Sequence, residues 1–427
     1  MGTVANEIAG ERLIQQAFTN ACEAGEFDDF VINKRVVDRN GKTWGYHESY
    51  LVDAEEIGIN PGDLALLGLH LATRNIFCGA GAMSRFDTGE ARYVLSQKNN
   101  GLRHDYHTGT TETSKALVNL RDEPLADREH WRRVHVTSGD PTMSPWSTFL
   151  KLGSTSLVLR LAEHNINLPK LQAKDLCQLA RHVAYDTSLK QPQLLISERK
   201  LTAAEIQTEL CAAASELAQS VELPAEEQLV LQTWQSACDL ARKNPAKLAE
   251  KTDWGAKQMI LSRYRRRHQI AWNDSRLMAL DWRWDRLSET GLAQKVRRGS
   301  WAADMPPEEL ITERMDSPPD STRAALRAQF IASALKHHGS RMIGVDWSYV
   351  SFDSEDVRLS DPYATTSDSL SQLMAYIAEE PVLEESYVRT RSRLPMAVAA
   401  PFGPQIDESM DLNDYDLDEV NHSHFSD

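Results

Sequence analysis

The chain is poor in the residues that mark several protein classes. Cysteine is scarce: Cys22, Cys78, Cys177, Cys211 and Cys238 are all there are in 427 residues, an odd number with no C-x-x-C pair and no metal-ligand spacing. Reduced thiols in a cytoplasmic protein are therefore expected, rather than a disulfide framework or a zinc ribbon. Long apolar runs are missing too. The stretch 64–71 breaks off well short of the roughly 18 residues that cross a bilayer, and Glu7 and Glu11 stand where a signal peptide would carry positive charge. No membrane is expected as a partner. Positive charge is in the minority, with 47 Lys+Arg against 62 Asp+Glu, and its one cluster is Arg263-Tyr264-Arg265-Arg266-Arg267-His268. On an acidic body with no aromatic platform beside it, that run does not mark a nucleic-acid binder. It reads as a charged helix face or as a docking patch for something acidic. The phosphate-loop, G-x-S-x-G, H-E-x-x-H and kinase motifs are missing, which removes the standard ATPase, hydrolase and zinc-protease readings. His47-Glu48 starts like the zinc motif, but no second histidine follows at the required spacing.

What is present is an ordinary globular composition, 41 % hydrophobic and 26 % charged, long enough for two or three domains or for one large core with an appendage. Residues 6–24 show helical spacing of Ile8, Leu13, Ile14, Ala17, Phe18 and Ala21. A β-hairpin is expected next, with strands at 30–38 and 43–52 joined at Asn40-Gly41. Alternation on its second strand puts His47 and Ser49 on one face and Tyr46, Glu48 and Tyr50 on the other. Strand-like runs follow at 91–96, 116–120 and 131–138. In the last of these Trp131, Arg133, His135 and Thr137 share a face opposite Val134 and Val136, as in a sheet lining a site. Helices are expected at 147–164, 172–184, 202–220, 225–244, 256–268 and 323–337, and then an extended segment at 342–352. Strands, then helices, then a late strand argue an α+β fold. The end of the chain, 404–427, has eight acidic residues and no Lys or Arg, and is expected to be a solvated, disordered tail.

The densest polar stretch is Asn119-Leu120-Arg121-Asp122-Glu123-Pro124, leading into Arg132-Arg133-Val134-His135 and on to Gly139-Asp140. Guanidinium forks match phosphate oxygens, and carboxylates or imidazoles supply metal ligands. The same residues also suit a network of surface ion pairs around a turn, and chemistry alone leaves both open.

These stretches resemble, in order, blocks of the Pup ligase and depupylase family. The blocks are Trp44-Gly45-Tyr46-His47-Glu48-Ser49-Tyr50, Cys78-Gly79-Ala80-Gly81, Leu95-Ser96-Gln97, the Arg-Asp-Glu-Pro run at 121–124, Arg132 to Asp140, and Leu150-Lys151-Leu152-Gly153. Thr252-Asp253-Trp254-Gly255, Pro318-Pro319-Asp320-Ser321-Thr322-Arg323 and Val345-Asp346-Trp347 follow. The resemblance implies a carboxylate-amine ligase like glutamine synthetase, in which a curved antiparallel sheet cradles ATP and Mg²⁺ and a smaller C-terminal domain follows. Here that gives a ligase domain at 1–345, the small domain at 346–403 and the tail at 404–427.

The activity it implies is phosphorylation of the side-chain carboxylate at the C-terminus of the small protein Pup, followed by attack of a target-protein lysine on the acyl phosphate, which marks the target for the proteasome. Depupylation or Pup deamidation by the same family, and a non-catalytic Pup-binding module, stay open. By the same resemblance His47 and His135 face phosphates or metal, Arg121 and Arg133 bind phosphate oxygens, and Trp347 stacks on the nucleotide base. A core aromatic remains the alternative for Trp347, and a hydrogen-bonded strand histidine for His47. The family's opening strands, with a Gly-x-Glu-x-Glu-like start, an Asp general base and a further metal-binding Glu, have no counterpart here. The sequence thus offers no catalytic base, and this chain alone is expected to catalyse nothing.

Overall fold

In a computed structural model, residues 1–25, 31–38, 41–85, 91–338, 343–353 and 355–379 are described. The expected tail at 404–427, and Phe30 and Asn40 of the expected hairpin, lie outside them. Helix α1 (Gly2–Glu23) buries Val4, Ala5, Ile8 and Ala9. The apolar stripe does not continue as its spacing suggests: Leu13 is 42 % and Ile14 51 % exposed. The inward position of that turn is taken by Glu11, which pairs with Lys34 and with Arg297.

The expected hairpin survives only at its turn. Val37 and Thr43 form an isolated bridge, the Asp38 N–H donates to the Lys42 carbonyl, and Gly41 takes φ +77°. The true strand, β1 (Glu48–Asp53), begins just after His47. The order then runs α2 (Ala65–Thr73), α3 (Asn75–Cys78), β2 (Ala82–Arg85), β3 (Ala91–Val94), β4 (His104–His107), α4 (Thr111–Ser114), β5 (Ala116–Asn119) and β6 (Trp131–Val136). β1 pairs along its whole length with β6, antiparallel, with Ser49 opposite His135 and Leu51 opposite Arg133. A two-stranded hairpin is marginal by itself, whereas pairing with β6 joins β1 to a sheet backed by Val134 and Val136, both fully buried.

The sheet order is β1-β6-β5-β4. It is not wholly antiparallel as expected: β4 runs parallel to β5. α2 and α5 (Pro145–Glu163) cover its back. α2 is buried on every side, with Leu66, Leu67, Leu69, Leu71 and Ala72 joined by the polar His70 and Thr73. A layer of helices follows: α6 (Leu176–Tyr185), then the short hairpin β7 (Gln193–Leu194) and β8 (Lys200–Leu201), then α7 (Ala203–Leu217), α8 (Ala225–Lys243), α9 (Pro245–Lys251), α10 (Asp253–His268), α11 (Ser275–Trp284), α12 (Leu292–Arg298) and α13 (Glu308–Asp316).

A second, smaller core gathers α14 (Arg323–His338), β9 (Ile343–Val345), β10 (Tyr349–Phe352), β11 (Glu355–Arg358) and α15 (Asp368–Glu379). Leu326 and Phe330 of α14 pack there with Val350, Phe352, Leu370 and Ile377. The division read from the sequence at 345/346 therefore passes between elements that share one core. The small unit meets the large one at the start of β6, where the Asp127 N–H donates to the Ser360 carbonyl at 3.1 Å and Trp131 packs on Tyr363.

Candidate functional site

The blocks from 78 to 97 and the end of the 132–140 block build a support rather than a reactive surface. Asp140, 1 % exposed, accepts the backbone N–H groups of Ala80, Gln97 and Lys98 and the Ser96 hydroxyl. Gly79 and Gly81 are required by close approach: a Cβ on Gly79 would lie 2.1 Å from the Leu95 carbonyl oxygen, and one on Gly81, at φ +63°, 2.0 Å from the Tyr93 hydroxyl. The effect is to fix Lys98, whose Nζ donates to the Trp44 carbonyl.

In front of this support the alternation places side chains as the sequence suggests. Glu48 and Tyr50 turn into the core, where the Tyr50 hydroxyl donates to Glu48 and Arg74 grips the same carboxylate. His47 and His135 meet on the other face, edge to face, with ring centroids 4.9 Å apart. Arg133 stands beside them, its Nε donating to Ser49 Oγ at 3.1 Å and one Nη reaching the Glu123 carbonyl. No carboxylate among the described residues pairs with Arg133 or with Lys98. Burial, with Lys98 and Arg133 adding to it, holds the His47 imidazole below its usual pKa. Burial, Arg133 and His47 bring His135 down to about 4. Burial and the neighbouring Lys115 lower Lys98 to about 8. Both imidazoles are thus neutral at pH 7, and the His135 Nε2, buried, has no hydrogen-bond partner.

Unpaired guanidinium and ammonium groups around a buried, unsatisfied ring nitrogen suit a polyanion, and phosphate oxygens above all. The donor set also fits a metal held jointly with that anion, since neutral imidazole is a good ligand, while a hard cation such as Mg²⁺ takes most of its ligands from oxygen. Among the described residues, the only His, Cys, Asp and Glu trio close enough to ligate by itself is Asp105, Asp175 and Cys177, on other elements. Two of its members are already engaged, because Asp105 and Asp175 cap the start of α6.

The other expected residues are placed differently. Arg121 forms an ion pair with Glu123, and Arg132 one with Asp122 at 3.1 Å, so the surface-network reading holds for those two arginines and not for Arg133. Trp347 is on the small unit, 62 % exposed, and no described contact joins it to the histidine pair. It is not a core aromatic: Arg327 lies over its ring at 5.2 Å and donates to its carbonyl. The basic run at 263–268 ends α10, where cations oppose the helix dipole. Arg265 there packs on Trp272 at 5.1 Å. Sequence reasoning missed Lys98, although it directly follows the Leu95-Ser96-Gln97 block, and it missed Arg74, which no local pattern connects to Glu48.

Comparison with known proteins supports the family. The family described as Pup-ligase protein matches residues 1–351. A Pup–protein ligase of Acidimicrobium ferrooxidans is 32 % identical over 387 residues, covering 88 % of this chain and 83 % of that one. One from Mycobacterium tuberculosis is 29 % identical over 385 residues, covering 87 % and 83 %. Among solved structures, the complex between the prokaryotic ubiquitin-like protein Pup and its ligase PafA superposes with a TM-score of 0.77 at 26 % identity, covering 88 % of this chain and 77 % of that one. The ligase PafA in complex with ADP gives 0.75 at 26 % identity, covering 88 % and 83 %. With this architecture and a match over most of its length, the chain belongs to the Pup-ligase family.

Proposed function

We propose that the protein is an ATP-dependent Pup ligase, joining the C-terminal Glu side chain of Pup to lysines of target proteins. One observation carries the site assignment: Arg133, Lys98 and the unpartnered His135 Nε2 face one way with no carboxylate to neutralise them. In this reading Arg133 holds phosphate oxygens of the nucleotide, assisted by Arg121 once Glu123 yields it, and Trp347 stacks on the base. Phosphorylation makes the carboxylate oxygen a good leaving group; the lysine amine then attacks the carbonyl carbon and phosphate departs. Preorganised cations at that point offset charge as it develops. His47 and His135 are the side chains that would hold Mg²⁺ against the phosphates, and when bound the ion would screen their charge. The relatives named above are ligases, which favours ligation over depupylation.

A cytoplasmic location accords with five free thiols, and no helix among the described residues is long and apolar enough to cross a membrane. The test is equilibrium binding of ADP and of Pup. Wild-type protein is expected to bind both, and Arg133→Ala to lose ADP while keeping Pup. An absence of ADP binding at millimolar concentration in folded wild-type protein would end the nucleotide reading.

A further inference from the structure

Lys151 is a buried ammonium that the proposed reaction does not use. It lies on α5, 1 % exposed, and its donors are spent on the Asp140 carbonyl and Thr142 Oγ1, each at 3.0 Å, and on the face of the Tyr46 ring, 3.8 Å from its centroid. Among the described residues no ion pair accounts for it. A methionine would fill the same volume without desolvating a charge, so packing does not explain a lysine at this position. What the lysine does contact is the residue next to His47. Tyr46 is held from below by this cation and at its hydroxyl by Glu7, at 3.1 Å. Glu48, on the other side of His47, is held by Arg74 at 2.9 Å. Two residues further back the Trp44 carbonyl is held by Lys98. The backbone that carries His47 is thus gripped at every second residue by a buried or half-buried charge, and Lys151 and Arg74 grip it through side chains that alternate away from the imidazole.

We propose that Lys151 is a positioning residue: through its contact with the Tyr46 ring it sets the direction of the His47 side chain and so keeps His47 edge-on to His135. The proposal rests on the reading of that pair as part of the nucleotide site, but it is tested separately from it. The ring contact has its own signature in the ¹H and ¹³C shifts of histidine-labelled protein, with the two rings identified by His47→Gln and His135→Gln.

In Lys151→Met, the signals of both rings are expected to move or broaden and the ADP dissociation constant to rise roughly tenfold, while the melting temperature stays close to wild type. Arg160→Met, which breaks the pair with Glu227 elsewhere on α5, is expected to lower the melting temperature without moving those signals. Tyr46→Leu should reproduce the Lys151→Met spectrum, and the double variant should add nothing to it. Unchanged ring signals in folded Lys151→Met overturn the proposal, as does simple additivity in the double variant. If Lys151→Met does not fold, Tyr46→Leu decides by the same spectrum. Failure of the wild type to bind ADP strikes the nucleotide reading alone, because the ring signature still answers for Lys151.

Discussion

Charges behind the sheet and charges in front of it follow opposite rules. Among the buried cations away from the front face a carboxylate partner is the norm: Arg35 meets Asp281 at 2.9 Å and Asp285 at 2.6 Å, Lys257 meets both of these aspartates at 3.1 Å, Arg297 meets Glu11 at 2.7 Å, and Arg74 grips Glu48. Lys151, with its carbonyl and hydroxyl acceptors, is the exception. In front, the side chains of Arg133 and Lys98 have only neutral acceptors among the described residues, and the His135 Nε2 has none. A folded chain does not leave charge uncompensated at no cost, so the front is the place where a ligand can supply the missing negative charge. The pairs behind are not surplus stability. They hold the strands whose front residues are left unpaired.

The sharpest way to break this contrast is to remove one cation from each side. Arg74→Met leaves the Glu48 carboxylate buried without its partner and is expected to cost about 3–5 kcal/mol in urea denaturation, while Arg133→Met should leave the midpoint almost unmoved. If both cost the same, the distinction between the two sides fails. Acid tests the rear differently. Burial alone would raise the Glu7 carboxyl, but Lys34, with Lys151, outweighs it and brings the group from 4.5 to about 2. The unfolded chain therefore takes up the proton first: this stabilisation is complete above pH 4.5 and is lost as pH falls from 4.5 toward 2. It amounts to about 3 kcal/mol at most, and Glu7→Gln should flatten that limb of the stability curve.

Ligand binding sharpens the other side. Losing a charge-assisted contact at Arg133 should weaken ADP by about 1.5–3 kcal/mol, on the order of 10- to 100-fold, with the salt dependence of binding reduced as well. Trp347→Ala should have the smallest effect, about 1 kcal/mol by calorimetry, because stacking on an already exposed ring gives up little. It should weaken purine nucleotides and leave inorganic pyrophosphate unaffected.

How far the sequence foretold this depends on the range over which each signal acts. Helices α5, α6, α7, α8, α10 and α14 lie close to their expected bounds, because apolar spacing is a local property, whereas α9, α11, α12, α13 and α15 were not expected. In α11 the buried stripe of Leu277, Leu280 and Trp284 is interrupted by the buried Asp281, which meets Arg35, so its apolar spacing is hard to read. The hairpin at 30–52 was misjudged because the turn signal is real while the partner of β1 is β6, far along the chain. His47, Arg133 and His135 could be found, since alternation places them once the strands are known. Lys98, Lys151 and Arg74 were not singled out, although Lys98 follows one of the quoted blocks and Lys151 lies inside another, because each acts on a residue remote in sequence.

The Asp140 carboxylate has a kinetic corollary. Three amides from two separate loops, those of Ala80, Gln97 and Lys98, share this one acceptor, and none can be released to solvent alone without leaving the buried charge short of a donor. In deuterium exchange they should open as one unit, with a common rate well below that of ordinary loop amides. The loop that delivers Lys98 would then move as slowly as a core strand, although it carries no secondary structure beyond a single short turn.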